Sequence, residues 1–171
     1  MSEAPLPRPV GDLDRPGLAE ILTPLGSRHP DPFLAEITVA AAHLSRLIPH
    51  CNNVEFVRWL DRVAELHAES IGQGREILAA EGRAWFVARH EVDYRAEAFE
   101  GDRLVVATWV RNGRKAVSWR DSLIVRPLDR TVICVAATLW VHVDLASRRP
   151  STPPADSMRA FRPIETGHPV P

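Results

Sequence analysis

Cysteine is scarce in this chain: Cys51 and Cys134 are the only two in 171 residues. Two thiols do not make a disulfide framework, and they read as free thiols in a reducing compartment. Long apolar runs are missing as well. The longest, "VICVAA" at 132–137, falls far short of the roughly 20 residues a bilayer-crossing helix needs. The opening "MSEAPLPRPVGDLD" has no apolar stretch behind a basic one, so no secretory leader is read there and the expected location is cytoplasmic. Neither sign of charge is in excess: 21 Lys and Arg face 22 Asp and Glu, for a net charge of −1. With the basic residues also spread along the chain, no nucleic-acid or membrane surface is expected. No Gly-rich phosphate loop and no Gly-x-Ser-x-Gly elbow occur. The seven His are scattered, and neither "HEVD" (90–93) nor "ELH" (65–67) has zinc-ligand spacing with a third partner.

Proline is nearly absent from the middle. Of 15 prolines, seven fall in residues 1–32 and six in 150–171, leaving Pro49 and Pro127 between. Proline cannot donate to a helix or sheet ladder, so the ends read as irregular: an N-terminal arm (1–32) and a C-terminal tail (150–171) around one regular body, 33–149. No internal repeat is visible. A hydrophobic fraction of 45% and a charged fraction of 25% suit a soluble domain. A chain of this length buries roughly 70% of its unfolded surface, enough for a substantial core.

Within the body, "FLAEITVAAA" (33–42) predicts a first strand. From Val54 onward, Val57, Leu60, Val63, Ala64, His67 and Ile71 recur at three- and four-residue steps, the stripe of one helix. Asn52 or Asn53 can cap its start and Gly72 can stop it. After a Gly-containing link, four strands are predicted at 84–94, 103–111, 115–126 and 131–144. "TWVRNGRKAVSW" places Asn112-Gly113, a type I′ turn signal, between two of them; "GD" (101–102) and "PLDR" (127–130) supply the other turns. In the last strand Ile133, Val135, Ala137, Leu139, Val141 and Val143 alternate, predicting one dry face. Strand, long helix, then four antiparallel strands is α+β, with the helix on the sheet's apolar face. The opposite face carries Val105, Ala107 and Trp109 on one strand and Cys134, Ala136 and Trp140 on another. Left bare it would be an exposed patch, so a second subunit is expected to cover it and a homo-oligomer is predicted.

The stretch "IPHCNNVEFVRWLDR" (48–62) sets a His, a Cys and two Asn where the helix begins. Together with the helix end "H…GxG", "VDYRAEAFEGDRLVVATWV" and "ATLWVHVDLASRRP", it resembles the hotdog-fold acyl-CoA thioesterases of the 4-hydroxybenzoyl-CoA thioesterase type. The resemblance covers about residues 34–150. It implies a long helix wrapped by a five- to six-stranded antiparallel sheet. It further implies an acyl-CoA or acyl carrier protein substrate, a dimer whose sheets join edge to edge with two active sites at the interface, or a tetramer, and neither cofactor nor metal. The family signature is Asp-x-x-x-His-Val-Asn-Asn with an aromatic shortly after. His50, Asn52, Asn53 and Phe56 match it. Cys51 stands for Val, Pro49 for a common Gly, and Arg46 for the acid expected to attack the thioester or activate water.

A thioester hydrolase needs a nucleophile and donors for the carbonyl oxygen. The first amides of a helix have no intrahelical acceptor and lie at its positive end, and the resemblance implies that those around Asn52–Val54 face the carbonyl. The plainer reading of Asn52 and Asn53 is capping alone. His50 is the candidate orienter of water or carbonyl. Cys51 can act as a nucleophile at a helix start or simply replace Val. Arg46 stays protonated and is no base; it can bind the thioester oxygen or a CoA phosphate. An acid would then come from Asp61, eight residues after Asn53, or Glu65, each of which also reads as a solvated helix charge. Arg89, Glu91 and Asp93 read as an ion-pair ladder near a subunit edge, and Arg111, Arg114 and Lys115 as a solvated turn. Two function classes follow: a thioester hydrolase, or a hotdog protein that binds acyl thioesters without cleaving them. Arg46 separates them.

Overall fold

Alternation of apolar side chains along the strands decides this architecture, because it gives one sheet two dry faces. The computed structural model describes residues 4–11 and 14–164; the parts of the two arms at 1–3, 12–13 and 165–171 lie outside them. In chain order the elements are β1 (Arg8–Pro9), α1 (Arg15–Leu22), β2 (Phe33–Thr38), α2 (Asn53–Ser70), α3 (Arg75–Ala80), β3 (Arg83–Tyr94), β4 (Arg103–Arg114), β5 (Val117–Arg126), β6 (Thr131–Asp144), β7 (Arg149–Pro150) and α4 (Ala155–Ala160). The strands pair antiparallel in the order β1-β2-β4-β5-β6-β3, with β7 added to β6. This is the α+β hotdog fold, the sheet curling round α2.

Helix α2 starts and stops as its sequence dictates. The Asn52 side chain accepts from the Val54 amide at 3.2 Å, and Gly72 takes the left-handed φ of 71° that ends the helix. The buried seam is Phe56, Trp59, Leu60, Val63, Ala64 and Leu66, turned from the predicted stripe: Val54 is exposed and Val57 only half-buried. A sheet curled round a helix covers a wider arc than a flat one, and the two aromatic rings offer the most area to it. Each fully buried side chain of this size stabilises by about 1.5–3 kcal/mol. Across the interface Ala35, Ile37, Leu104, Val106, Ile124, Ile133, Cys134 and Ala136 complete this core.

The other sheet face departs from expectation. Val105, Ala107 and Trp109 do point away from α2, but Leu18 and Leu22 of α1, with Val10, cover them. The N-terminal arm therefore supplies what a second subunit was expected to supply, and that argument for an oligomer falls. Cys134 and Ala136 lie in the α2-side core instead, and Trp140 lines a cavity on that side. The cause is a bulge. Ile124 pairs with Cys134 but Val125 with Val132, so Ile133 is an extra residue and the facing pattern flips beyond it.

Three further differences are local. The first strand ends at Thr38, and Ala41–His43 form a 3-10 turn. The hairpin turn sits at Lys115–Ala116, not Asn112-Gly113, since Arg114 pairs with Val117 and Gly113 with Ser118. At Gly113 the terminal methyl of Met158 from α4 lies over the backbone, and a side chain there would push that flexible end aside. Neither arm is irregular throughout, since α1 carries Pro16 in its first turn, where proline costs nothing, and α4 folds back to bury Phe161.

Candidate functional site

The turn into α2 is held by three backbone bonds that leave one donor over. Cys51 N–H donates to Ala98 O at 2.7 Å and Asn52 N–H to His43 O at 2.8 Å. Val54 N–H is taken by the Asn52 side chain and Glu55 N–H donates to Asn52 O at 2.9 Å. The Asn53 amide has no acceptor among the described residues. The expected cluster of free amides at Asn52–Val54 is thus a single amide, at the positive end of an 18-residue helix. Removing the cap tests this arrangement. Asn52→Ala is expected to lower stability by about 1 kcal/mol, and Asn52→Asp to retain it, in urea unfolding.

His50 lies three residues before this amide in the same turn and is paired. Its Nδ1 stands 2.8 Å from Glu97 Oε1, a carboxylate on the link between β3 and β4. That link is pinned at the turn by the Cys51–Ala98 bond, and Tyr94 O–H donates to Asn53 O at 3.3 Å. A carboxylate on Nδ1 keeps the proton there and leaves Nε2 with its lone pair. Glu97 went unnoticed in the sequence because nothing in "YRAEAFEGD" marks it; contact with His50 is made 47 residues away along the chain.

The other predicted residues are dispersed. Arg46 is exposed on the loop 45–50, beside Leu47 at 94% and Ile48 at 54% exposure. Cys51 is buried, and desolvation, then the charge of Glu55, push its thiol up to about 12. A thiol raised so far is held protonated, which favours the reading of Cys51 as a small apolar residue in place of Val. Phe56 packs edge-on against Trp59 and Tyr94, supporting the turn from within. Asp61 is ion-paired to Arg75 at 2.7 Å and, two helical turns on, stands about 12 Å along the axis from Asn53. It does not join His50. Glu65 is held by Arg62 at 2.7 Å. Of the ladder, Arg89 pairs with Glu91 at 2.8 Å while Asp93 faces Arg95 at 3.8 Å. Arg111 is not a solvated turn residue, since it pairs with Asp121 within the sheet.

Beside the second half of α2 lies a cavity of about 430 Å³ with largely apolar walls from α3, β3, β6 and α4. Arg120 of β5 opens on it, 6% exposed. Burial draws its guanidinium down to about 10, so it remains charged at neutral pH. Its partner His67 is held neutral, pushed down to about 3 by burial first and then by the Arg120 charge. An imidazole with an ordinary value of 6.5 and a folded value of about 3 contributes stability that is complete above pH 6.5 and lost as pH falls toward 3. The slope reaches about 1.4 kcal/mol per pH unit. Urea unfolding between pH 7.5 and 5 should show this decline, and His67→Gln should flatten it.

Among the described residues no helix is long and apolar enough to cross a membrane. No curated protein sequence matches the chain. Solved structures do. A 1,4-dihydroxy-2-naphthoyl-CoA thioesterase from Synechocystis superposes with a TM-score of 0.70 at 20% identity, over 80% of this chain and 98% of that one. A probable thioesterase from Escherichia coli gives 0.65 at 16% identity, over 75% and 97%. A 12:0-ACP thioesterase from Umbellularia californica gives 0.65 at 19% identity, over 75% of this chain and 51% of that one. At such identities the likeness is one of fold. The sequence itself matches a known family over residues 31–161, and the chain belongs to the thioesterase-like superfamily.

Proposed function

We propose that this protein hydrolyses acyl thioesters of CoA or acyl carrier protein, in the manner of the 4-hydroxybenzoyl-CoA thioesterase type, at the turn into α2. The observation that carries the reading is the His50–Glu97 pair, 2.8 Å across, in the same turn as the uncommitted Asn53 amide. The carbonyl oxygen takes its hydrogen bond from that amide, where the helix dipole favours negative charge. His50 Nε2 accepts a proton from water as the water oxygen attacks the carbonyl carbon. The tetrahedral intermediate collapses by breaking the C–S bond, and the imidazolium returns its proton to the departing thiolate. Glu97 holds the imidazole in the required tautomer and steadies its charge. It is not one of the acids, Asp61 and Glu65, that the sequence offered in place of the family's Asp, and it acts through His50 instead of attacking the thioester or activating water itself. Asn52 shapes the turn, and Arg46 on its exposed loop is available to a CoA phosphate.

Strand β3 supports a second element of this reading. It pairs with β6 on one side only, runs 12 residues and exposes Phe86 and Val87. A long open edge with apolar side chains invites pairing with a second copy, and light scattering is expected to give a dimer or a multiple of one. Thiol release over a panel of short, long and aromatic acyl-CoA and acyl carrier protein esters tests hydrolysis. Turnover of at least one supports it. Binding without turnover, with activity gained only in Arg46→Asp, would make the natural protein a binder.

A further inference from the structure

The cavity beside α2 holds a charge that the fold leaves uncompensated. Arg120 Nη1 donates to His67 Nδ1 at 3.0 Å and to Thr108 Oγ1 at 3.4 Å. Both are neutral acceptors, and the Phe161 ring lies 5.5 Å from the guanidinium carbon. No carboxylate pairs with Arg120 among the described residues. The acids that do line the cavity, Asp61 and Glu65, are taken by Arg75 at 2.7 and 3.7 Å, at a more exposed position.

The remaining edge of Arg120, Nε and Nη2, has no acceptor among the described residues. Yet neither atom is among the sealed polar atoms that lack a partner. In a residue so deeply buried, what access they have is to the cavity it lines. That edge presents two parallel N–H groups, the geometry that grips a carboxylate bidentately. A buried guanidinium without a counter-charge is expensive to keep, so a ligand that supplies the charge has much to gain. The walls around it, Leu78, Trp85, Val110, Trp140 and Met158 among them, suit a hydrocarbon body.

Resting on the hydrolytic reading for the other end of the ligand, we propose that the preferred acyl group carries a carboxylate at its far end, bound by the Nε–Nη2 edge of Arg120. The cavity's lining on α2 begins at Asp61, so a chain whose carbonyl meets the Asn53 amide has about 12 Å of helix to cover before it enters the cavity. From Asn53 to His67 is 14 residues, about 21 Å of helix, which sets a long acyl chain as the natural match.

The test uses pairs of non-hydrolysable acyl-CoA thioethers of equal length, one plain and one with a terminal carboxylate, titrated calorimetrically into the full chain. The terminal carboxylate is expected to tighten binding at least 10-fold at the matching length, and Arg120→Met to abolish that preference. Arg120→Lys, which keeps the charge but loses the paired donors, is expected to keep part of it, and it carries the test if the Met variant does not fold. Equal binding of both members of every pair, a preference that survives in a folded Arg120→Met variant, or one that is undiminished in Arg120→Lys, overturns the proposal. Thiol release from the corresponding thioesters is read separately. If nothing is hydrolysed but the carboxylate preference stands, the hydrolytic reading fails and the Arg120 site remains.

Discussion

His50→Ala is expected to lower kcat/KM for any thioester the protein hydrolyses by about 10²–10⁴-fold, the usual contribution of a positioned general base. Affinity for a non-hydrolysable analogue should change little, because the loss falls on the transition state. Glu97→Gln should cost less, since an amide oxygen can still hold Nδ1–H but cannot steady the imidazolium. The double variant should be scarcely worse than His50→Ala alone, as expected of groups that act as one unit. Cys51→Ser and Asp61→Asn serve as controls. The first removes a thiol that burial keeps protonated, the second a carboxylate already committed to Arg75. Full turnover in His50→Ala would remove the imidazole from the mechanism, and loss in Cys51→Ser of a folded protein would redirect it to the thiol.

Trp59→Ala is expected to be the most damaging single substitution for stability, at about 3–5 kcal/mol. For a chain of this size that lowers Tm by roughly 6–20 °C, at 2–4 °C per kcal/mol. Trp59 is fully buried, with His43 and Phe56 each at 5.2 Å between ring centroids. It therefore joins the 3-10 turn, the start of α2 and the sheet. His43 O accepts the Asn52 amide, so the cavity left by the indole lies directly behind the turn that carries His50. Activity should fall before global unfolding, visible as a kcat loss at temperatures where the protein is still folded by circular dichroism. Trp59→Phe should cost less, because it keeps most of the ring and removes an indole N–H that has no acceptor among the described residues. A Tm within a few degrees of the parent for Trp59→Ala would show that the core collapses around the loss.

The turn that opens α2 was legible in the sequence, and for a local reason. A cap, a helix start and a stop glycine are settled by residues within a few positions of one another. Asn52, the span of α2 and Gly72 could therefore be read in order. Side-chain periodicity likewise marked five of the strands, and the segments quoted from residues 48–150 carried the resemblance to hotdog thioesterases. The parity of β6 was misread because a bulge adds a residue without any marking in composition. The turn after β4 was misread because Asn112-Gly113 is a strong turn signal, yet both residues pair within the ladder, Gly113 with Ser118.

By itself, then, the order of residues in this chain determined the long helix, five of the strands, their antiparallel class, the polar turn at residues 50–53 and the family to which it points. Three matters belonged to the tertiary structure alone. Glu97 meets His50, α1 closes the outer sheet face, and Arg120 stands charged in an apolar cavity with three of its five donors unpaired among the described residues. All three arise between residues far apart in sequence, where partner choice is made by strand register, bulges and the curl of the sheet. Helix and strand periods record which way a side chain points, but not what it will find there.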